Sequence, residues 1–239
     1  MTVEQNIQDL MKKTRYDFSD LCAIMSILRS DAGCPWDREQ DHHSIRKCLI
    51  EETYEVVEAI DTENPTLLRE ELGDLLFQIL FHAEIERERQ TFSLDDVIHE
   101  ISVKMIHRHP HVFGNVQVRN SADVLQNWES IKTEEKQRNT KVEKLRAIPP
   151  MMPALMRATK VGKKAGQAEG ESIGALTDAV SAHLSAFHDA NPEQMHERMG
   201  KLLMAVCNLS RAVGVDPEHA LMNETDHLID RVAKEEECE

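Results

Sequence analysis

The sequence predicts an all-α protein, and three observations carry that reading. Gly (9) and Pro (8) are scarce in 239 residues and aromatics make up only 4%, too few turn formers and sheet-packing side chains for a strand-rich fold. Apolar residues recur at helical spacing over most of the chain. No segment alternates with period two for long enough to make a strand.

The elements follow in order. A first helix is expected over about Phe18 to Arg29, with Leu21, Ile24, Met25 and Leu28 on one face. It ends at the break Asp31-Ala-Gly-Cys-Pro35, and a second runs from about Ser44 to Asp61 with the stripe Ile45, Leu49, Val56 and Ile60. Asn64-Pro65 supplies an N-cap and a first-turn proline for a third, which continues to about Arg89 with Leu68, Leu72, Leu75 and Ile79 in line. Ser93 caps a fourth, with Leu94, Val97, Ile98, Ile101 and Met105 inward, and Pro110 and Gly114 end it. A fifth begins at Ser121 and carries Val124, Leu125, Trp128 and Ile131. The stretch 139–153, with Pro149-Pro150 and Pro153, is expected to be a linker between a unit over 1–138 and a helical unit over 154–239.

The two units share a pattern. Adding 127 to residue numbers lays Asn64-Pro65 on Asn191-Pro192, Glu70 on Glu197, Gly73 on Gly200, and Leu75-Leu76 on Leu202-Leu203. Cap, glycine and paired leucines in one register imply two copies of one helical unit.

Charge narrows the function. Hydrophobic residues at 41% and charged residues at 30% are the balance of a folded, soluble protein, and the net charge is −15. Such a chain repels nucleic acid and anionic lipid, so neither a nucleic-acid-binding nor a membrane role is expected. An anionic substrate would need a cation between it and the protein. The five cysteines are scattered with no C-x-x-C pair, which argues against a disulfide framework and for a reducing, cytoplasmic setting. The opening MTVEQNIQDLMKK has no apolar stretch of the signal-peptide kind, and the longest greasy run, Leu75 to Phe81, is too short to span a bilayer.

The candidate chemistry lies in Glu51-Glu52-x-x-Glu55 on the second helix and Glu71-x-x-Asp74 on the third. Residues three apart share a helix face, so Glu52 leans with Glu55 and Glu71 with Asp74, each pair flanking its helix's apolar stripe. Two antiparallel helices can bring such pairs together, and converging carboxylates repel unless a cation neutralises them; hard oxygen donors suit Mg²⁺, with Mn²⁺ possible. Gly73, inside the third helix, costs roughly 1 kcal/mol and marks a place where another group approaches the backbone closely. The alternative is a solvated acidic face on a non-catalytic helical interaction protein. A di-iron carboxylate bundle is disfavoured because its Glu-x-x-His sets, Glu39/His42 and Glu193/His196, fall outside the cluster. His107, His109 and His111 alternate into Pro110, unlike the usual zinc spacing.

These residues resemble the metal-binding signature of the all-α NTP pyrophosphohydrolase superfamily, which includes dimeric dUTPases and phosphoribosyl-ATP pyrophosphohydrolases. The flanking segments, Cys34-Pro35-Trp36-Asp37-Arg38-Glu39-Gln40 before it and Arg108-His109-Pro110-His111-Val112-Phe113-Gly114 after it, narrow the resemblance to the MazG family. That resemblance implies a homodimeric helical-bundle enzyme that cleaves nucleoside triphosphates to NMP and pyrophosphate. It implies Glu52, Glu55, Glu71 and Asp74 as Mg²⁺ ligands with Glu51 as a neighbouring catalytic acid, and Lys104 and Arg108 as phosphate clamps. Trp36 and Trp128 each read as core residues, and Trp36, in a polar loop beside Asp37, is the better placed of the two to meet a base. A narrower, dUTPase-like activity is the runner-up. The fold expected is then two tandem MazG-type helical units, of which the second is degenerate: at the 127-residue offset Ala179, Ala182, Arg198 and Lys201 replace the four ligands, leaving a structural or dimerising module.

Overall fold

The computed structural model describes residues 2–135, 140–188 and 191–237. Arg138, Asn139 and Cys238, which enter the boundary and cysteine readings above, lie outside the described residues. Among the described residues the regular structure is helical, without strands. The chain divides into two compact units, Met1–Leu125 and Gln126–Glu239.

In the first unit α1 spans Val3–Met11 and α2 Phe18–Arg29. The first was not expected, although Thr2 and Gln5 supply its signal: the two close a capping box in which each side chain accepts from the other's backbone N–H. Helix α2 starts the same way, on Asp17 and Asp20. A short α3, Pro35–Glu39, occupies what the sequence presents as the end of a break. The catalytic candidates lie on α4, Arg46–Asp61, and α5, Pro65–Glu88. Between these helices Glu63 takes a positive φ of 51°, and Asn64 Oδ1 accepts from the N–H of Thr66 and Leu67 at 3.1 and 3.2 Å. This short turn folds α4 and α5 back on one another, and they pack along their length. Ser93 with Asp96 caps α6, Leu94–Arg108, which α7, Pro110–Phe113, follows directly. Helix α8, Ser121–Glu135, contains the division between the units.

The first unit's core is Met25, Ile45, Leu80, Phe81 and Ile85, with Leu21, Cys22, Phe77 and Leu94 packed against it. It sits where α2, α4 and α6 meet the C-terminal half of α5. Several residues of the expected stripes stay outside it: Ile60 on α4, Leu72 and Ile79 on α5, and Val97, Ile98 and Ile101 on α6 are exposed, as is Leu125 on α8. The reason is length. Helix α5, with 24 residues, is about 36 Å long, twice the reach of the 12-residue α2 that packs on it. Helical phase decides which side chains share a face, whereas the reach of the neighbours decides which part of that face is covered.

In the second unit the expected linker is partly helical: Thr140 and Glu143 form a capping box that starts α9, Lys141–Arg146, and α9 packs on α10, Ala154–Ala165. Helices α11, Ile173–Ser185, and α12, Pro192–Ala212, pack together as α4 and α5 do. Asn191 caps α12 by accepting from the N–H of Gln194 at 3.0 Å. Helix α13, Pro217–Glu236, meets α10 and α12. No helix of the described residues is long and apolar enough to cross a membrane.

Phe81, 2% exposed and edge-on to Phe77, anchors the core, whereas Asn64 only caps. Phe81→Ala is expected to cost about 3–5 kcal/mol and Asn64→Ala about 1 kcal/mol. Urea unfolding followed by circular dichroism measures both; equal losses would contradict this placement of the core.

Candidate metal centre

Helices α4 and α5 bring the expected carboxylates together. Glu52, Glu55 and Glu71 each place one carboxylate oxygen so that the three lie within 4.8 Å of one another. Glu52 and Glu55 are one turn apart on α4, and the turn at 62–64 sets α5 alongside, so Glu71 arrives opposite them. Burial, then the charges of Asp74, Glu55 and Glu71, push the Glu52 carboxyl above its usual range. Burial, followed by Glu55, Asp74 and two further acids, Glu70 and Glu58, does the same to Glu71. Asp74 is outside the 4.8 Å trio, yet both Glu52 and Glu71 feel its charge. Glu51 is directed elsewhere: exposed on α4, it pairs with Lys47 at 2.9 Å one turn back. Glu51 is next to Glu52 in sequence, but one residue is a step of about 100° around the helix, which separates their directions.

The donor chemistry fits a hard divalent cation. Three carboxylate oxygens converge with no Lys or Arg of the described residues ion-paired among them, and burial together with neighbouring acids raises the Glu52 and Glu71 carboxyls. The histidines 107, 109 and 111 form no comparable group among the described residues. His109 instead donates from Nδ1 to the Met105 carbonyl at 2.6 Å, and its ring lies tilted against that of His111, at the corner between α6 and α7.

The remaining candidates are spread over the first unit. On α6, Lys104 is half-buried and Arg108 is 6% exposed, one turn further on. Trp36 is 58% exposed on α3, its carbonyl accepting from the Gln40 side chain at 2.8 Å. Trp128 is half-buried on α8. A Cβ added at Gly73 would meet nothing within 4 Å among the described residues, so none of them makes the close approach that its sequence position suggests. At Gly33, by contrast, a Cβ would stand 2.1 Å from the Ile27 carbonyl oxygen.

Two polar networks hold the segment that leads into α4, and sequence reasoning missed both. The buried Arg29 side chain donates to the backbone carbonyls of Asp37 and Gln40 at 2.5 and 3.2 Å. Its other nitrogens grip Glu88 at 2.8 and 2.7 Å, and its guanidinium lies over the Phe81 ring. Nearby, His42 Nε2 is 2.5 Å from Glu86 and its Nδ1 is 2.7 Å from His82 Nδ1. The Thr91 hydroxyl, His42 and Arg89 together hold the Glu86 carboxyl down to about 2. These bonds span up to 59 residues, so helical periodicity carries no trace of them.

Residues 40–113 match the family model of the MazG nucleotide pyrophosphohydrolase domain. Over 230 residues the chain is 40% identical to the nucleoside triphosphate pyrophosphohydrolase/pyrophosphatase MazG of Thermotoga maritima, covering 95% of this chain and 88% of that protein. It is 39% identical over 210 residues to the nucleoside triphosphate pyrophosphohydrolase of Escherichia coli K12, 84% of this chain and 80% of that one. It is also 41% identical over 240 residues to the uncharacterized protein YabN of Bacillus subtilis, of which it spans 48%.

Because burial and neighbouring charges raise the Glu52 and Glu71 carboxyls, the fold favours their protonated forms. Their contribution to metal-free stability is therefore greatest below the ordinary carboxylate range and is lost as pH rises through the raised values. In EDTA at neutral pH, Glu71→Gln is expected to melt at a higher temperature than wild type, with the gap closing on acidification. Mg²⁺ should then raise the wild-type melting temperature more than the variant's. A variant melting below wild type in EDTA would refute the repulsion.

Proposed function

This chain belongs to the MazG family, and we propose that it hydrolyses nucleoside triphosphates between the α- and β-phosphates, giving NMP and pyrophosphate, at a divalent-metal centre formed by Glu52, Glu55, Glu71 and Asp74. The convergence of Glu52, Glu55 and Glu71 within 4.8 Å carries the reading. A chain of net charge −15 has no other ready means of holding a polyphosphate beside an acidic cluster. Mg²⁺, or Mn²⁺ in its place, would be held by these four carboxylates and would supply Lewis-acid polarisation of the phosphates and an activated water.

The protein's own residues contribute position and charge. Lys104 and Arg108, one turn apart on α6, provide positive charge for the phosphates. Glu51 is a neighbouring acid whose tie to Lys47 leaves it outside the trio. Trp36 offers an exposed ring to a base. Arg29 fixes the backbone that presents Trp36 and thereby limits where a base can lie. The substrates are nucleoside triphosphates, in the manner of an enzyme that clears the nucleotide pool. Four free cysteines, Cys22, Cys34, Cys48 and Cys207, suit the reducing cytoplasm.

The second unit repeats the helical frame without the ligands. At the 127-residue offset α4, α5 and α6 fall on α11, α12 and α13, and both long helices begin with an Asn-Pro cap. Ala179, Ala182, Arg198 and Lys201 stand in the ligand positions, and Lys201 pairs with Glu197 at 2.5 Å. Two cations there oppose a divalent metal. The chain is also proposed to form a homodimer, because apolar residues stay exposed together along α5 and α6, Leu72 and Ile79 on one and Val97, Ile98 and Ile101 on the other.

Turnover is expected to require Mg²⁺ or Mn²⁺ and to release pyrophosphate with NMP. Glu52→Gln, Glu55→Gln, Glu71→Gln and Asp74→Asn should each lower kcat by about a hundredfold or more. Separating pyrophosphate from orthophosphate after incubation with a panel of NTPs and dNTPs tests this; orthophosphate with NDP, or full rate in EDTA, would overturn it. Light scattering of the pure protein should give twice the mass of 27.3 kDa, and Ile101→Asp should shift it to monomer. A monomeric wild type would end the dimer proposal.

A further inference from the structure

The turn that leads into α4 hangs on a histidine. Helix α4 starts without a side-chain cap, and Ile45, just before it, is buried in the core. On the other side Arg29 grips the carbonyls of Asp37 and Gln40. Between these anchors residues 41–44 form a turn. Asp41 Oδ1 accepts from the N–H of His43 and Ser44 at 2.8 and 2.9 Å, and the Asp41 carbonyl accepts from Ile45 at 3.2 Å. Asp41, His43 and Ser44 are exposed, whereas His42 is half-buried and meets α5.

Three side chains make that contact. His42 Nε2 is 2.5 Å from Glu86, and His42 Nδ1 is 2.7 Å from His82 Nδ1, with the two rings stacked 5.0 Å apart. The Thr91 hydroxyl, His42 and Arg89 hold the Glu86 carboxyl down to about 2, so at neutral pH it is an acceptor and His42 Nε2 carries a proton. Two nitrogens this close form a hydrogen bond with one proton between them, not two. Two arrangements satisfy that condition. Either a neutral His42 accepts from the His82 Nδ1–H, or a charged His42 donates to a bare His82 Nδ1. The pair therefore takes up a first proton without losing a bond. A second puts hydrogens on both facing nitrogens and replaces the bond by repulsion between two cations.

His82 resists that second proton. Its Nε2 is shut off from solvent without a hydrogen-bond partner among the described residues, so a charged ring would carry a buried, unanswered N–H. Burial, then the charge of His42, holds His82 below the ordinary histidine range. The closed turn thus binds fewer protons than the opened one. Its bond contributes fully at neutral pH and is lost as pH falls from the ordinary histidine range through the lowered value.

The surrounding charges do not produce this loss. Backbone N–H groups of Ser44 and His43 hold Asp41 below the usual carboxylate range, as Glu86 is held, so both acids stay ionised while the rings titrate. Arg89 beside them, and Arg29 from α2 with its partner Glu88, are charged throughout. His43 gains Asp41 as a partner when it is charged. Glu52 and Glu71, further along α4 and α5, act in the opposite direction, since their protonation relieves repulsion.

We propose that His42 and His82 form an acid-sensitive latch: while the rings share one proton the turn 41–44 is shut against α5, and when both are charged it opens and frays the start of α4. Glu52 follows less than two turns later, so the latch acts on the helix that carries the acidic centre. It stands on its own geometry and on no reading of the reaction.

Hydrogen exchange of the full-length protein in EDTA, read by mass spectrometry on peptides covering 41–50, tests this at about pH 7.5 and about pH 5. Relative to peptides from α12, and corrected for intrinsic exchange, protection should fall about tenfold or more on acidification, the effect of one proton over roughly one pH unit. His82→Asn puts an amide oxygen where Nδ1 accepts and does not titrate, so its protection should be the same at both pH values. Nitrogen NMR of the wild-type imidazoles should show a bare Nδ1 between the rings at the higher pH and none at the lower. Protection unchanged by pH in the wild type, an equal loss in His82→Asn, or two charged rings with protection intact would each overturn the latch. Should His82→Asn fail to fold, the wild-type exchange and nitrogen shifts decide alone.

Discussion

Carboxylates on α4 and α5 are held closer together than they would stay in water, and the rest of the first unit exists to hold them there. Burial and the neighbouring acids raise the Glu52 and Glu71 carboxyls, and like charges within 4.8 Å press the helices apart. What resists is mostly hydrophobic: the cluster around Leu80, Phe81 and Ile85 at the far end of α5, and the capped turn at 62–64 that fixes how α5 returns along α4. Packing and repulsion act at different points along one helix pair. A cation at the proposed centre would remove that repulsion.

Arg29 connects that scaffold to the α3 segment. Its side chain reaches two backbone carbonyls of the α3 segment, the Glu88 carboxylate and the Phe81 ring. A buried cation so fully engaged ties α2, α3 and the end of α5 into one rigid corner, with Trp36 on its outer side. The neighbouring His42–His82–Glu86 chain clamps the next few residues and so sets the entry into α4.

The second unit shows how little of such a frame belongs to its chemistry. Both α5 and α12 begin on an Asn-Pro cap and pack on the helix before them, whereas at the 127-residue offset Glu71 and Asp74 become Arg198 and Lys201, and Glu52 and Glu55 become Ala179 and Ala182. Packing depends on apolar faces and helix ends, which the ligand positions flank without entering.

Local signals determined much of this in advance. Ser93, Asn64-Pro65 and Asn191-Pro192 start helices where the sequence places them, because caps act over three or four residues. The spacing of Glu52, Glu55 and Glu71 was legible for the same reason: a helix converts sequence distance into direction. Glu51 shows the limit, since adjacency in the chain is divergence on the helix. Tertiary structure alone decided that Leu72, Ile79 and Ile101 stay exposed, that Gly73 faces open space, and that Arg29 and His42 bind partners dozens of residues away. It also decided that α10's loop leaves a cavity beside Ala179. Periodicity describes one helix at a time. Which part of each face is covered depends on the lengths and ends of its neighbours, a property no single segment carries.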